Sequence, residues 1–416
     1  MKILYILGAY KPKMSANGIC SDNIINELKK QGHKVTVLCN HYDGLPFYEN
    51  VDNLDIFRVK SKLYVQLKQY SETHSKTRKF LSKFAGVLSK IIIKLQLLLF
   101  WFLWPNVSRG TTKRFKNKAL ELQKQYNFDI VISAFAPVEA LIAGYEIKKK
   151  YPNVKYIPYF LDSLSGGYGI SFLSKKTIVR LGLKIEKKLF KLADKIVVMN
   201  SSKEHHNFYN SEFLDKMKVL DIPMLTNSNI VLNAKNKQST TKLLFVGSID
   251  TSIRNPDTII SILENTQNEN IVCEFVGKIN CINKFDNLKE KYKDRLILTG
   301  FIGHNEILQK ISEADFLINI GNLITTMVPS KIFEYMSYGK PIITTYEIDN
   351  EPSQNYLSKY PLALLIDGRN SFKDNLNRFE DFIVSYKNKR VSYEDVEKLF
   401  YLNTPKAFYE DIIMKD

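Results

Sequence analysis

The sequence predicts an α/β protein of two domains, each built on a doubly wound parallel sheet. Three observations carry this reading. Short apolar runs alternate with amphipathic stretches; the alternation restarts in the second half; and a polar, low-complexity stretch, NAKNKQSTT from Asn233 to Thr241, lies between the halves. A chain of 416 residues is long enough for two cores of ordinary size.

The elements follow in order. KILYILG reads as a strand, SDNIINELKKQG as an amphipathic helix with Ser21 or Asp22 as its cap and Gly32 as its stop, and HKVTVLC as the next strand. DIVISAF, PVEALIAGYEIKKKY, VKYIPYFLD, a helix ending at Leu192, and KIVVMNSS continue the alternation. The second half begins with TKLLFVGSI (strand), NPDTIISILEN (helix) and NIVCEFVG (strand). RLILTGFI, HNEILQKISEA and DFLINIG then lead to VPSKIFEYMSYGKPIITT, read as a short helix stopped at Gly339 and followed by a strand. The chain closes on a helical stretch, YEDVEKLFYLNTPKAFYEDIIMK.

Hydrophobic residues at 44% and charged residues at 25% place the chain among globular proteins and exclude a disordered one. Cys20, Cys39, Cys273 and Cys281 stand far apart with no C-x-x-C pair, which argues against a zinc site or disulfide scaffold and for a reducing compartment. The N-terminal run lacks a signal cleavage pattern and reads as a core strand, so a cytosolic location is expected.

The net charge of +17 is unevenly spread. Between Arg58 and Lys124 sixteen lysines and arginines face only Glu72 and Glu121, a surplus of fourteen that seeks a polyanion. Within it lies FLSKFAGVLSKIIIKLQLLLFWFLWP. Its uninterrupted apolar part, Leu95 to Trp104, is too short to span a bilayer. Lys83, Lys90 and Lys94 fall on one helical face, with Phe84, Val87, Leu88, Ile91 and Ile92 around the rest. That pattern, with Phe100, Trp101 and Trp104 at the end, resembles a helix lying in a membrane interface; burial against the domain is the plainer alternative. The aromatics are not interleaved with the lysines, which speaks against nucleic acid.

In doubly wound sheets ligands bind beyond the carboxyl ends of the strands. Three such places carry suggestive residues: LGAYKPKMSANGICSDN with Gly8 and Gly18, short of the dinucleotide pattern G-x-G-x-x-G; VGSIDTSIRNP with Gly247 and Arg254; and PSKIFEYM with Lys331 and Glu334. On an isolated helix Lys331 and Glu334, three apart, form a surface ion pair. At a strand end, Arg254 and Lys331 instead suit a diphosphate, and Glu334 the hydroxyls of a ribose.

With these stretches in order, the chain resembles the GT-B glycosyltransferases of family 4, retaining transferases of bacterial polysaccharide assembly. The resemblance rests on LKKQGHKVTVLC, KIEKKLFKLADKIVVMNSS, Ile222-Pro223, LLFVGSI with RNP, LTGFIGHNEILQKISEADFLI and, most specifically, PSKIFEYMSYGKPII. It implies two Rossmann-like domains facing a central cleft: residues 1–228 for the acceptor, with a basic, apolar insert around 60–118; residues 229–395 for the nucleotide-sugar; and a helix over 396–416 returning to the first domain.

The resemblance also implies roles. Arg254 and Lys331 match contacts to the donor diphosphate and act in catalysis, and Glu334 matches the later glutamate of the family's E-x7-E motif, on the ribose. The earlier glutamate position is Thr326, a departure from the motif, and Thr326, with Thr325 and neighbouring backbone amides, is the donor-binding replacement. Gly18, Gly247, Ser248, Gly277 and Ser330 complete the donor-binding set. Asp162 matches an aspartate of related sequences and is the candidate acceptor base, a cap on the SLSGG turn being its alternative. SAFAPVEA lacks the family's frequent histidine.

No D-x-D pair is present, and EID at Glu347 to Asp349 fits an ordinary loop better, so transfer without a metal or cofactor is expected. The implied partners are a nucleotide-sugar, most simply a UDP-sugar, a lipid-linked or oligosaccharide acceptor, and the anionic inner face of the cell membrane. A nucleotide-sugar epimerase of the same build is the enzyme alternative, and a polyanion-binding protein the non-enzymatic one.

Overall fold

A computed structural model describes the chain except at positions 13, 76, 167, 168, 228–239, 326 and 416. It divides into two compact units. The first comprises Met1–Pro223 together with Pro405–Asp416, and the second Met224–Thr404. The low-complexity stretch from Asn233 lies almost wholly outside the described residues.

The first unit holds eight strands: β1 (Lys2–Ile6), β2 (Lys34–Asn40), β3 (Tyr48–Val51), β4 (Leu54–Val59), β5 (Ile130–Phe135), β6 (Lys155–Phe160), β7 (Ile196–Met199) and β8 (Met217–Leu220), in the order β3-β4-β2-β1-β5-β6-β7-β8. Neighbours pair in parallel except β3 with β4. That antiparallel edge departs from the expected parallel sheet. Its turn is the dipeptide Asp52-Asn53, both at positive φ (50° and 60°), the two-residue geometry whose twist matches a hairpin.

The helices of this unit are α1 (Ala16–Lys30), α2 (Leu63–Thr73), α3 (Lys79–Phe100), α4 (Arg109–Tyr126), α5 (Val138–Lys150), α6 (Lys175–Leu192) and α7 (Lys203–Tyr209). α1 starts earlier than its sequence suggests. Ser15, not Ser21 or Asp22, is its cap and accepts the Gly18 N–H at 3.2 Å. Asp22 is instead drawn inward, accepting from Tyr10 Oη at 2.6 Å and pairing with Lys11 at 2.8 Å. The closing segment rejoins this unit only from Pro405, where Lys195 Nζ donates to Ile412 O at 3.0 Å.

α3 corrects one expectation and removes one alternative. Residues Lys79–Leu103, with an 18-residue stretch of mean hydropathy 1.8, are long and apolar enough to cross a membrane; the lysines interrupt the apolar run but not the helix. Nor is the helix a core element. Its buried residues are Ser82, Ala85 and Ser89, a small-residue stripe that lets α2 approach closely. Ser82 Oγ donates to Ser71 O at 2.8 Å and Ser89 Oγ to Tyr64 O at 2.7 Å. Phe80, Phe84, Val87, Ile91, Leu95, Leu98 and Leu99 face outward, Phe80 being 83% exposed. The helix is therefore polar and small inside, apolar outside.

The second unit holds β9 (Thr241–Val246), β10 (Ile271–Val276), β11 (Leu296–Thr299), β12 (Phe316–Ile320), β13 (Ile342–Tyr346) and β14 (Ala363–Asp367), all parallel, in the order β11-β10-β9-β12-β13-β14. Around them run α8 (Asp257–Asn265), α9 (Asp286–Tyr292), α10 (His304–Glu313), α11 (Lys331–Ser337), α12 (Gln354–Leu357), α13 (Phe372–Tyr386) and α14 (Tyr393–Leu399). Strand order reverses between β9 and β12, so the loops after these two strands flank the switch point at which such sheets bind ligands.

α11 ends where the sequence places its stop. Gly339 has φ +61°, and a Cβ there would stand 2.0 Å from Val391 O. Lys340 follows, fully buried, with Nζ donating to Ile311 O at 2.7 Å and Ser312 O at 2.6 Å in the last turn of α10. Gly339→Ala combines a strained backbone with a steric overlap, so it should destabilise the second unit by roughly 1–3 kcal/mol. Denaturant unfolding followed at that unit checks this.

Candidate functional site

The site is built at the switch point of the second sheet. β9 runs into Gly247, and the loop beyond it turns back to Arg254. Gly247 leaves room for this arginine, since a Cβ there would come 3.2 Å from its Nη1. Gly277, at the end of β10, has φ +130° and lies so close that a Cβ would sit 2.0 Å from Gly247 O. Only glycine fits there, so two of the residues read as donor contacts hold the neighbouring strand ends together.

Arg254 is fixed from both sides. Its Nε donates to Asn322 Oδ1 at 2.8 Å and its Nη1 to Ser248 O at 3.3 Å. Burial draws its guanidinium below the usual arginine range, opposed by Tyr335 and Glu351. Asn322, on the loop after β12, donates through its backbone N–H to Glu351 Oε1 at 3.1 Å and through Nδ2 to Met327 O at 2.6 Å. Glu351 is fully buried, and its Oε2 accepts from the N–H of Ser353 at 3.0 Å and from the Ser353 hydroxyl. Buried carboxylates are tolerated only when bonded in this way. Neither Asn322 nor Glu351 stands out in the sequence, because what marks them is a tertiary network joining distant loops.

α11 presents the other half. Val246 N–H donates to Tyr335 Oη at 2.9 Å, which ties the last residue of β9 to this helix. Tyr335 is buried, and burial pushes its phenol well above the ordinary value. Lys331 and Glu334 pair with each other in one turn, as their spacing allows. They are 32% and 14% exposed, so the pair lies mostly inside the surface. Glu334 Oε1 is buried and has no hydrogen-bond partner among the described residues, leaving the carboxylate half-satisfied. Ser330 precedes the helix without a side-chain cap bond, and Thr326 lies outside the described residues.

Gly247, Ser248, Arg254, Gly277, Ser330, Lys331 and Glu334 thus belong to one unit, at neighbouring strand ends. Gly18 and Asp162 belong to the other. Gly18 lies in the first turn of α1, where a Cβ would stand 2.6 Å from Ala9 O; its glycine permits close approach of helix and loop. Asp162 follows β6 and is exposed. The cap of the next turn is Ser163, whose Oγ accepts the Gly166 N–H at 2.8 Å, and not Asp162. Ser165 is anchored below by buried Glu186, which accepts its N–H at 2.9 Å and its hydroxyl at 2.7 Å.

No group of three metal-ligating side chains occurs among the described residues. Glu347 and Asp349 are committed elsewhere: Glu347 accepts from Asn255 at 2.9 Å and Thr258 at 3.1 Å, and Asp349 pairs with Arg369 at 2.8 Å. The four cysteines are buried thiols, Cys20 and Cys39 pushed up to about 12 by burial.

Residues 240–359, from β9 through α12, match the family described as Glycosyl transferases group 1. The segment is similar to that family along its whole length. It contains Arg254, Asn322, Lys331, Glu334 and Glu351. No curated protein matched the sequence. Among solved structures the whole chain is similar to the lipopolysaccharide outer core galactosyltransferase WaaB (14% identity, 100% of both chains, TM-score 0.54) and to Anabaena HepE in complex with UDP-glucose (12%, 100% of both, 0.52). It is also similar to a Listeria monocytogenes protein assigned as a UDP-N-acetylglucosamine 2-epimerase (12%, 100% of this chain and 97% of that one, 0.51). At such identities these likenesses establish the fold, which is GT-B.

The network predicts where the second domain is fragile. Glu351→Ala should leave the backbone N–H groups of Asn322 and Ser353 unpaired in the interior, each costing about 1–3 kcal/mol. The domain should lose several kcal/mol of stability by thermal or denaturant unfolding, while Arg254→Ala, nearer solvent, should lose much less.

Proposed function

We propose that the chain is a metal-independent glycosyltransferase that moves a sugar from a nucleotide-sugar, preferably a UDP-sugar, to a saccharide acceptor carried on a lipid in cell-surface polysaccharide synthesis, with retention of configuration. The observation that carries the reading is the group 1-like segment whose two switch-point loops bring a fixed arginine and a lysine–glutamate pair to neighbouring strand ends.

The chemistry follows from those groups. In transfer, the bond from the anomeric carbon to the β-phosphate oxygen breaks and one from the acceptor oxygen to that carbon forms, while negative charge grows on the leaving diphosphate. Arg254, already oriented by Asn322, and Lys331 meet that charge without rearranging in the transition state. Engaging the phosphate draws Lys331 from Glu334, whose two oxygens then accept from the ribose hydroxyls. Asp162 is the carboxylate we assign to take the proton of the acceptor hydroxyl, as that oxygen attacks the face from which the diphosphate departs.

α3 gives the reading its location. An exposed apolar helix with exposed Lys83, Lys90 and Lys94 suits the anionic inner face of a cell membrane, where a lipid-linked acceptor presents its head. Phe100 and Trp101 are exposed for insertion, and Trp104 is half-buried.

Two experiments test this. Glu334→Ala should weaken nucleoside diphosphate binding by roughly tenfold or more in calorimetry, and Arg254→Ala and Lys331→Ala should each lower turnover at least about tenfold with activity intact in EDTA. Unchanged affinity, or activity lost to chelation and restored by Mg²⁺, contradicts the assignment. Separately, the protein should sediment with anionic liposomes at low salt, and replacing Lys83, Lys90 and Lys94 by glutamate should release it while leaving donor hydrolysis unchanged. Persistent, salt-insensitive sedimentation of that variant contradicts the interfacial role of the lysines.

A further inference from the structure

A second concavity lies in the first unit, outside the loops described above. It is a cavity of about 490 Å³ framed by α4, α5 and α6, of a size ordinary for a small-molecule site. Its rim is basic. Arg109, Lys113 and Lys116 project from one face of α4 at spacings of four and three, and Lys188 joins them from α6. The acid on this rim is Glu146, which pairs with Lys116 at 2.6 Å. Arg109, Lys113 and Lys188 have no acidic partner among the described residues; Lys188 lies over the Tyr145 ring at 4.9 Å. Four cations against one anion is a standing demand for negative charge.

The wall beneath is apolar, formed by Ile142 of α5 and by Ile185 and Leu189 of α6. A cationic rim over an apolar wall fits a ligand with a phosphate and a hydrocarbon, and suits neither a free sugar nor a bare nucleotide. The cavity's place in the fold points the same way. Asn106, which lines it, follows Trp104 and Pro105 at the end of α3, and accepts from the hydroxyl of Thr112, another lining residue. Gln96 of α3 donates to Val107 O at 3.1 Å, fastening the helix to this rim. Leu98, Leu99, Phe100, Trp101 and Phe102, all exposed, crowd the same end of α3.

We propose that this cavity is a binding site for the phosphate headgroup of an anionic lipid, with the first methylenes of its chains against Ile142, Ile185 and Leu189. The proposal rests on the membrane reading of α3 and adds to it. α3 supplies general adhesion through apolar area and diffuse charge, whereas the cavity, with four cations against one anion, selects the more highly charged phosphate monoester and fixes how the first unit is turned on the surface.

The test uses the full chain and two readouts. Calorimetry with short-chain dihexanoyl phosphatidic acid, below its micelle concentration, reads the cavity without any membrane. Lys113→Ala combined with Lys188→Ala, which leaves the Lys116–Glu146 pair in place, should weaken binding about tenfold or more. The variant carrying Lys83→Glu, Lys90→Glu and Lys94→Glu should bind this lipid as the unaltered protein does, and glycerol phosphate should bind at least tenfold more weakly than the lipid. Sedimentation with phosphatidylcholine vesicles carrying either phosphatidic acid or an equal charge of phosphatidylglycerol reads the surface. The unaltered chain should favour phosphatidic acid, and the cavity variant should lose that preference while still binding both. Equal calorimetric binding by the cavity variant, or by glycerol phosphate, overturns the lipid site; the latter result assigns a free phosphate ester instead. Failure of the unaltered chain to sediment with any vesicle overturns the membrane reading of α3, a result distinct from either.

Discussion

The buried carboxylate of Glu351 is the constraint on which the candidate site depends. It lies wholly inside the second unit and holds the backbone of Asn322 after β12 and of Ser353 before α12. Through the Asn322 side chain the same anchor reaches Arg254, on the loop after β9. Three loops are thereby set against one another around a switch point where the parallel sheet leaves its strand ends uncovered. An arginine on a free loop would sample many rotamers and lose entropy on meeting a phosphate; this one is already aimed.

The second half of the site is proposed to work by exchange. Lys331 and Glu334 satisfy each other within one helical turn, yet the pairing leaves Glu334 Oε1 buried without a partner. Separating a largely desolvated pair is costly unless each member is re-partnered, and a diphosphate for Lys331 with vicinal hydroxyls for Glu334 would re-partner both. On the proposed reading, an ion pair and a donor clamp are two states of the same two residues. Gly247 and Gly277 serve this arrangement by letting the backbones of β9 and β10 come closer than any side chain allows.

Much of this is legible in the sequence, for physical reasons. The core strands are apolar runs bounded by glycine, proline and charge, and a parallel sheet buried on both faces demands such runs. Arg254, Lys331 and Glu334 stand in short local motifs. What escapes is whatever depends on closure through space. Glu351 and Asn322 look like loop residues until the loops meet. The β3–β4 hairpin escapes because YENV is a polar edge strand and its Asp52-Asn53 turn lacks the usual glycine. Gly18 resembles a breaker, which hides the true start of α1 at Ser15. α3 is the instructive case, since its periodic pattern reads as an interfacial helix but leaves a core helix as the alternative. Only the packing of Ser82, Ala85 and Ser89 against α2 decides that its apolar side is the outer one.

The account's central claim is that the strand-end cations and Glu334 form a site for a nucleoside diphosphate. A crystal structure of the protein grown with UDP tests it most directly. The account predicts the phosphates between Arg254 and Lys331, the Arg254–Asn322 bond intact, Lys331 parted from Glu334, and both Glu334 oxygens on the ribose hydroxyls. UDP bound elsewhere with the Lys331–Glu334 pair still closed would contradict it.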